Sequence, residues 1–534
     1  MERETAAPFR FRHGEVPPRP APQTGTSATV RTMAMSSSPR PPTAADCPPP
    51  PPAPFWPARR RSPARRSSPA NPSVPIVEIP YRDPLAAFTP FANDATCAFL
   101  DSAAAGDPRA RWSYIAAEPF SVIVAGPDGV AVDGRPVEGD PFAVLQRMLA
   151  TRVPAASQGG PEIPFRGGAV GFLGYELGRH LERLPVPYRR DPPMPDMVVG
   201  LYDAVLAFDT QAQRAFLVRA EMPADTDSAR QRGETLLRRL ATAPPAPPAP
   251  DWRIREAFTP DRPRATVEAA VARAIAYIEA GDIFQANITQ TLRAQRPAGL
   301  DDLALYLRLR ALSPAPFAAL LRCGPDLALM SASPERFLSL SPDGRVETRP
   351  IKGTRPRGAS PQADAALAAA LAAAPKDRAE NLMIVDLLRN DISRVAALGS
   401  VQVPVLCALE SFASVHHLVS VVEGRLTPGL GPVDLLRACF PGGSVTGAPK
   451  IRAMEIIHEL EGAPRGPYCG AIAWIGFDGA MDSAITIRTI VRGGETLLAQ
   501  AGGGIVADSD PAAEYEESLV KLAPLRHALS GERP

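Results

Sequence analysis

The sequence contains very little lysine. Of its 58 basic residues, the four lysines are Lys352, Lys376, Lys450 and Lys521, and the other 54 are arginine. A bias of this size is most simply one of codon usage, so the abundance of arginine does not indicate contact with nucleic acid. All four lysines lie between residues 352 and 521. We expect this segment to contain the positions where arginine cannot replace lysine.

Long apolar runs and paired cysteine motifs are also missing. No apolar stretch reaches the roughly 18 residues of a membrane-spanning helix, and no apolar core of a secretory signal is present. The six cysteines show no CxxC spacing, which argues against a zinc site and favours reduced thiols. These absences predict a cytoplasmic protein that does not bind membranes.

The N-terminal segment, residues 1–72, differs in composition from the rest of the chain. Seventeen of the 63 prolines lie between Met1 and Ala70, and the segment contains 11 arginines against four acidic side chains. Such a segment buries too little apolar surface to offset its ordering entropy, so we predict a disordered tail over residues 1–72. A basic arm that binds nucleic acid is the alternative, and its affinity would fall steeply with salt. The remaining chain carries a net charge of −6.

The chain after the tail divides at a proline-rich stretch. Residues 73–242 have the pattern of short strands separated by turns, and residues 243–250 form a predicted linker. Residues 251–530 show helices alternating with strands, including a helix predicted over 262–280 and a strand over 283–292. This pattern predicts an α+β or mixed α/β fold.

The last helix carries a group of charged residues. It is predicted to begin after Asp510 as the N-cap, and its spacing places Glu514, Glu517 and Lys521 on one face. Residues 501–505, just before it, include three consecutive glycines whose N–H groups can approach an anion closely. A solvated face with an ion pair between Glu517 and Lys521 is the alternative.

Asp377 and Glu380 lie near the start of another predicted helix. Their spacing fits a capping box. Alternatively, Glu380 joins Glu514 and Glu517 around Mg²⁺, which prefers oxygen ligands. Both interpretations can hold at once.

Two further motifs indicate anion binding and nucleophilic chemistry. Residues 441–452 form a glycine-rich turn before a helix, where free N–H groups and the hydroxyl of Thr446 can bind a carboxylate or phosphate. The spacing of a Walker motif is absent, which argues against an ATPase. Lys352 lies close in sequence to three arginines, 349, 355 and 357, and this cationic neighbourhood is expected to lower its pKa and favour a nucleophilic amine. A basic loop in water is the alternative.

Eight ordered motifs resemble those of the chorismate-utilising enzymes, which include the anthranilate, aminodeoxychorismate, isochorismate and salicylate synthases. They are FRGGAVGFLGYE (165–176), GDIFQ (281–285), SPERF (333–337), PIKGT (350–354), AENLMIVD (379–386), HLVS (417–420), GAPK (447–450) and AGGGI (501–505). The resemblance covers residues 76–528. It implies a large mixed α/β chorismate-binding fold of antiparallel sheets flanked by helices. Residues 99–102 lie where anthranilate synthases hold feedback tryptophan.

The resemblance also implies a site for chorismate and Mg²⁺. Glu380 and Glu517 would be metal ligands, with Asp377 and Glu514 in support; Asp377 departs from the Glu that several relatives have there, which suggests an outer-shell role. The substrate-binding set would be Thr354, Thr446, Gly447, Tyr468, Arg488, Gly502, Gly503, Gly504 and Lys521, with His417 beside the ring. Arg488, Tyr468 and the glycine amides would hold the enolpyruvyl carboxylate.

Two positions discriminate among members of the family. Members that add water carry a lysine base where this sequence has Gln285, and an amide cannot act as a base. Anthranilate synthases typically have PIAGT where this sequence has Lys352 in PIKGT. By resemblance, the Lys352 amine would attack C2 of the ring as the C4 hydroxyl leaves, and Glu335 would protonate that hydroxyl.

The resemblance therefore implies the activity of component I of the aminodeoxychorismate synthases, which convert chorismate and ammonia to 4-amino-4-deoxychorismate for 4-aminobenzoate and folate. A separate glutamine amidotransferase subunit would supply the ammonia. The alternatives are an anthranilate synthase component I, an aminodeoxyisochorismate synthase, and a catalytically silent relative that binds the amidotransferase.

Overall fold

Two large sheets form the framework of the computed structural model, which describes residues 76–151, 161–220, 226–252, 258–412 and 415–531. Before residue 243 the strands are β1 (Ile76–Ile79), β2 (Thr96–Asp101), β3 (Trp112–Ala116), β4 (Ser121–Gly126), β5 (Gly129–Val132), β6 (Arg135–Val137), β7 (Gly168–Leu173), β8 (Met197–Tyr202), β9 (Ala204–Asp209) and β10 (Arg214–Arg219). After it they are β11 (Thr259–Pro260), β12 (Gln285–Gln295), β13 (Phe317–Cys323), β14 (Leu327–Ser333), β15 (Arg336–Leu340), β16 (Arg345–Thr348), β17 (Ile351–Pro356), β18 (Gln402–Ser411), β19 (Val415–Arg425), β20 (Gly447–Ala448), β21 (Ala471–Gly476), β22 (Met481–Ile485), β23 (Thr489–Gly493) and β24 (Thr496–Ile505).

Helices cover the outer faces of these sheets. They are α1 (Pro84–Phe88), α2 (Pro141–Ala150), α3 (Thr226–Ala241), α4 (Arg264–Glu279), α5 (Asp302–Leu312), α6 (Pro361–Ala373), α7 (Pro375–Ser393), α8 (Pro432–Cys439), α9 (Lys450–Glu461) and α10 (Pro511–Ser530). Short 3₁₀ turns occur at Thr89–Phe91, Tyr175–His180 and Gly443–Val445.

The strand order of both sheets combines the two halves of the chain. One sheet runs β1-β10-β9-β3-β2-β13-β14-β23-β24-β12-β11, with β20 also on β12, and the other runs β17-β19-β16-β15-β22-β21-β7-β8-β4-β5-β6, with β18 also on β19. The pairs β2–β13 and β7–β21 are antiparallel and join residues on either side of the proline-rich stretch. The mixed fold of antiparallel sheets flanked by helices is confirmed. The division at residues 243–250 remains a prediction about sequence regions.

The core follows from the two-residue period of the strands. In β9, Leu206 and Phe208 pack under the helices on one side, whereas Val205 and Ala207 pack between the sheets with residues such as Phe172 of β7. Because both faces of the central strands are covered, these strands are apolar throughout rather than alternating.

Local signals predicted several elements correctly. The helix predicted over 262–280 is α4, the strand predicted over 283–292 is β12, and α10 begins where Asp510 accepts a hydrogen bond from the Ala513 amide at 2.8 Å. The capping box predicted for Asp377 and Glu380 is wrong. Helix α7 begins at Pro375, and no side chain caps it.

The predicted tail, residues 1–72, lies outside the described residues. Within the part of the chain that the structure describes, no helix is long and apolar enough to cross a membrane. The five described cysteines, at 97, 323, 407, 439 and 469, are free thiols.

Candidate active site

Lys352 projects from a bulge in the second sheet. Ile351 of β17 pairs with Val419 of β19 and Thr354 pairs with His417, so two residues of β17 stand opposite one residue of β19. Gly353, with φ of +84°, allows this turn of the backbone. The Lys352 Nζ donates a hydrogen bond to the Ser444 carbonyl at 3.2 Å. The bulge thereby directs the amine toward the turn before α9.

Two glutamates face the Lys352 amine. Burial lowers the pKa of Lys352, and the negative charges of Glu380 and Glu335 oppose that shift. Burial raises the pKa of Glu335, against a hydrogen bond with Ser444 and the charge of Lys352. An amine with a lowered pKa therefore lies near a carboxyl group with a raised pKa. The amine can act as a nucleophile, and the carboxyl group can act as a general acid.

The sequence predicted the direction of the Lys352 shift but not its cause. The neighbouring arginines are neutralised by acidic partners rather than acting on the amine: Arg349 pairs with Glu410 at 2.5 Å, Arg355 with Asp377 at 2.9 Å and Arg357 with Asp364 at 2.6 Å. The cationic neighbourhood inferred from the sequence is therefore wrong as an explanation. Burial of the amine is what lowers its pKa.

Helix α10 and the glycines of β24 form the opposite wall. Lys521 Nζ donates to the Gly502 carbonyl at 2.8 Å and lies 2.8 Å from a Glu517 oxygen. A Cβ atom on Gly503 would come within 2.7 Å of a Glu514 oxygen. The ion pair expected of a solvated face is present, but the same face also packs on the glycine strand. Glycine at 503 thus lets α10 approach β24 closely.

Gln285 lies deep between this strand and the Gly-rich turn. It is fully buried, and neither atom of its side-chain amide has a hydrogen-bond partner among the described residues. A Cβ atom on Gly504 would lie 2.2 Å from Gln285 Nε2 and 3.4 Å from Lys352 Nζ. A Cβ on Gly447 would meet the Gln285 carbonyl at 2.1 Å. The side-chain amide therefore lies beside Gly504, which also borders the Lys352 amine.

The Thr446 hydroxyl points back into the glycine-rich turn. It donates to the Gly442 carbonyl at 3.1 Å, while the Thr446 carbonyl accepts from the Asn287 amide at 2.7 Å. Thr446 holds the turn against β12 in this arrangement, so a direct contact of its hydroxyl with substrate remains a prediction.

Arg488 and Tyr468 approach the site from the β21–β23 region. Arg488 has φ of +52° and donates from Nη1 to the Lys521 carbonyl at 2.7 Å. Burial lowers the pKa of Arg488, against the opposing influence of Tyr468 and Glu517. Burial raises the pKa of Tyr468 well above its usual value, so the phenol stays protonated. These two side chains supply a half-buried cation and a buried hydroxyl donor.

His417 faces the site and its neighbour His416 does not. His417 Nδ1 lies 2.9 Å from the Thr354 hydroxyl, and burial together with Arg109 and Arg488 lowers the pKa of His417 to about 4. The ring is therefore neutral near pH 7. His416 instead contacts Ser411 and Asp364, at 2.7 and 2.9 Å. Adjacent strand residues point to opposite faces, as the sequence predicted.

Two neighbours of His417 were missed in the sequence. The Arg109 guanidinium lies 5.0 Å from the centre of the Phe412 ring, which in turn lies 5.6 Å from the His417 ring. Arg109 belongs to the loop between β2 and β3, in the other half of the chain. No local pattern marks either residue, because their contact depends on the sheets packing together.

The carboxylates of α7 and α10 are the groups of the described chain that could hold a divalent cation. Burial raises the pKa of Glu380, and the charges of Asp377 and Glu514 act in the same direction against Lys352 and Lys376. Crowded carboxylates of this kind are stabilised by a cation. The described residues contain no group of three or more acidic, His or Cys side chains arranged to hold a metal, so a bound Mg²⁺ would depend on one or two carboxylates and substrate oxygens.

Three of the four lysines lie at this site. Lys376 is 3.6 Å from a Glu514 oxygen, and Lys352 and Lys521 face the same carboxylates. Lys450 differs, because its ammonium group lies 2.6 Å from Asp391 and 2.8 Å from the Cys439 carbonyl. Lys450 therefore connects α9 to α7 and the end of α8 rather than lining the site.

A cavity of about 1130 Å³ lies elsewhere, between the two sheets. Asp101 and Ser102 line it on one side, and Trp474 and Asp482 line it on the other. The Asp101 carboxylate accepts a hydrogen bond from Tyr306 at 2.8 Å. Three residues of the segment 99–102, namely Leu100, Asp101 and Ser102, thus border a cavity that Lys352, Glu335 and Glu380 do not line.

Comparison with protein families matches residues 96–527 to the chorismate binding enzymes. The chain is 42% identical to aminodeoxychorismate synthase component 1 of Salmonella typhimurium over 460 residues, which cover 85% of this chain and 98% of that protein. It is 41% identical to the protein of the same name from Escherichia coli, covering 79% of this chain and 91% of that protein. It is also 41% identical to anthranilate synthase component 1 of Thermus thermophilus, covering 84% and 95%.

Solved structures show the same architecture. Anthranilate synthase component I of Streptococcus pneumoniae superposes with a TM-score of 0.69 at 33% identity, covering 78% of this chain and 92% of that chain. The menaquinone-specific isochorismate synthase of Escherichia coli superposes with a TM-score of 0.64 at 17% identity, covering 87% and 96%; that likeness concerns the fold alone. Because the identities to aminodeoxychorismate and anthranilate synthases are nearly equal, overall similarity does not separate these activities.

Proposed function

The chain belongs to the family of chorismate binding enzymes, and from that premise we propose that it is component I of an aminodeoxychorismate synthase. It converts chorismate and ammonia to 4-amino-4-deoxychorismate and water. The observation that carries this proposal is the Lys352 amine, which lies on a bulge beside Glu335 and Glu380 with a lowered pKa. A nucleophile at this point is what amination at C4 requires and amination at C2 does not.

The reaction proceeds in two displacements. The neutral Lys352 amine attacks C2 of the ring, the ring double bonds shift, and the C4 hydroxyl leaves as water after Glu335 gives it a proton. Ammonia then attacks C4, the double bonds shift back, and the Lys352 amine leaves. Each displacement is easier than direct replacement of hydroxide. Arginine could not serve, because its guanidinium stays protonated.

The remaining residues bind and orient the substrate. Arg488, Tyr468 and the backbone of Gly502–Gly504 hold the enolpyruvyl carboxylate, and Lys521 lies near the ring carboxylate. Cations and hydrogen-bond donors fixed in the site in this way favour binding of the chorismate dianion. Thr354, Thr446 and Gly447 support the neutral His417 and the turn beneath the ring.

Glu380 and Glu517 would hold Mg²⁺, with Glu514 in support one turn before Glu517 on α10. Their carboxylates suit an oxygen-preferring cation that completes its coordination with water and substrate. When bound, Mg²⁺ neutralises charge on the ring carboxylate.

A second subunit supplies the ammonia. The relatives from Salmonella typhimurium and Escherichia coli are named component 1, which implies a partner component. We propose a glutamine amidotransferase in that role, since hydrolysis of the glutamine amide yields free ammonia.

Product identification tests the assignment. The protein is incubated with chorismate, Mg²⁺ and an ammonium salt, and the product is identified by mass and chromatography. We expect 4-amino-4-deoxychorismate; anthranilate as the product would overturn the proposal. Lys352→Arg keeps the positive charge but removes the nucleophile, and it should abolish C4 amination. Lys450→Arg, which changes a lysine outside the site and retains its ion pair, is the matched control and should remain active.

A further inference from the structure

The backbone around Lys352 is not fixed by regular strand pairing. Lys352 and Gly353 together stand opposite the single residue between the β19 partners of Ile351 and Thr354. A bulge of this kind redirects a side chain and leaves its own residues outside the hydrogen-bonded ladder. Regular strand pairing alone therefore does not fix the direction in which the amine points.

Asp377 packs directly against this bulge. A Cβ atom on Gly353 would lie 3.0 Å from both Cβ and Cγ of Asp377, and 2.9 Å from Leu371 of α6. Arg355 Nη2 donates to Asp377 Oδ2 at 2.9 Å, and Arg355 Nη1 donates to the Thr354 carbonyl at 2.9 Å. The guanidinium therefore links the backbone just after the bulge to the first turn of α7.

Helix α7 makes this link relevant to the chemistry. Glu380 lies three residues after Asp377, on the same face of the helix, and its charge acts on the Lys352 amine. The Asp377–Arg355 pair thereby sets the position of the bulge relative to the helix that carries Glu380. The two side chains are partly exposed, Arg355 by 38% and Asp377 by 19%, so the pair contributes little to overall stability. Removing the pair is therefore expected to change the position of the bulge rather than the free energy of unfolding.

We propose that Asp377 is a positioning residue for Lys352 that acts through Arg355, and that it does not help to hold the metal. The inference rests on the proposed function, in which Lys352 is the nucleophile. It assigns different tasks to two acidic residues on one helix face: Asp377 holds the bulge, and Glu380 faces the amine and the cation.

The first test separates positioning from metal binding. Asp377→Ala and Arg355→Ala should each lower kcat for 4-amino-4-deoxychorismate formation about tenfold, because small displacements of a nucleophile are costly. KM for chorismate should change less than twofold. Mn²⁺ affinity, measured by electron paramagnetic resonance with chorismate and without ammonia, should match that of the unmodified protein. Asp386→Ala is the matched control. It removes another Asp–Arg pair of α7, in which Asp386 lies 2.9 Å from Arg389 and both side chains are exposed to solvent, and it should keep full kcat.

The second test asks whether the effect passes through Lys352. In a Lys352→Ala background, adding Asp377→Ala should cause no further loss in the residual rate, and the Asp377→Ala, Arg355→Ala double variant should be no slower than either single variant. Weaker Mn²⁺ binding by Asp377→Ala, together with an unimpaired Arg355→Ala, would overturn the positioning role while leaving the proposed function intact. Full activity of Lys352→Ala alone would overturn the covalent route and the positioning role, whereas anthranilate as the product of the unmodified protein would overturn the proposed function.

Discussion

The Thr354 hydroxyl lies 2.9 Å from Nδ1 of His417, so a side chain two residues after the nucleophile sets the ring orientation of a histidine on the neighbouring strand. The His417 ring is neutral near pH 7, because burial and two arginines lower its pKa to about 4. A neutral imidazole has one donor and one acceptor nitrogen. The hydrogen bond with Thr354 therefore fixes the orientation of the ring, and the hydroxyl can serve either tautomer as donor or acceptor.

Removing this hydroxyl should slow the reaction without unfolding the protein. Thr354→Val keeps the shape and loses one hydrogen bond, which corresponds to about a tenfold drop in kcat. Thr354→Ser keeps the hydroxyl and is the matched control. The measurement is kcat for product formation by each variant under steady-state conditions. Equal kcat values for the two variants would show that the hydrogen bond has no role.

The burial of His417 predicts a pH dependence of stability. The folded-state pKa is about 4, below the value of about 6.5 for an exposed histidine. The unfolded chain thus binds more protons between these values, and the free energy of unfolding falls as the pH drops from 6.5 toward 4. From pH 7 to pH 5 this one group should cost about 2 kcal/mol.

A variant isolates that contribution. Urea unfolding of the unmodified protein and of His417→Gln is compared at pH 7 and pH 5. Glutamine does not titrate, so the variant should lose about 2 kcal/mol less than the unmodified protein over this range. An identical loss in both proteins would contradict the prediction.

The side chain of Gln285 is predicted to contribute to substrate binding and not to the stability of the fold. Its amide has no hydrogen-bond partner among the described residues, so Gln285→Met breaks no hydrogen bond of the protein that the structure records. The unfolding free energy should change by less than about 1.5 kcal/mol, as for other volume-conserving changes, while KM for chorismate rises about tenfold. Parallel denaturation and kinetic measurements provide both readouts. A destabilised variant with normal KM would reverse the interpretation.

Gly503 is predicted to be required for the approach of α10. In Gly503→Ala the added methyl would meet a Glu514 oxygen at 2.7 Å, which must displace the carboxylate and weaken metal-dependent activity. Gly126→Ala is the control, because its Cβ would meet its nearest neighbour at an ordinary 3.9 Å. The Mg²⁺ concentration that gives half-maximal rate should rise several-fold for the first variant and stay unchanged for the second.

Local sequence signals predicted elements such as α4, β12 and α10, whereas long-range contacts decide how the proposed site residues are placed. The periodicity of α4 and the Asp510 cap of α10 are encoded within a few residues, so these two helices were predictable. The partner of Asp377 was not, because Arg355 lies 22 residues away and reaches it only through the bulge. The same reason explains why Arg109 and Phe412 were missed. It also explains why the sequence around Lys352 indicates a cationic neighbourhood, whereas the three arginines pair with acidic side chains.

The pairing of β2 with β13 and of β7 with β21 has a consequence for synthesis of the chain. During translation, the N-terminal half emerges with two strands whose partners, Phe317–Cys323 and Ala471–Gly476, have not yet been made. Those apolar edges must remain unpaired until most of the polypeptide has left the ribosome, and unpaired edges of this kind promote aggregation. Cotranslational folding therefore cannot finish one half first, and newly made chains depend on late, long-range strand pairing.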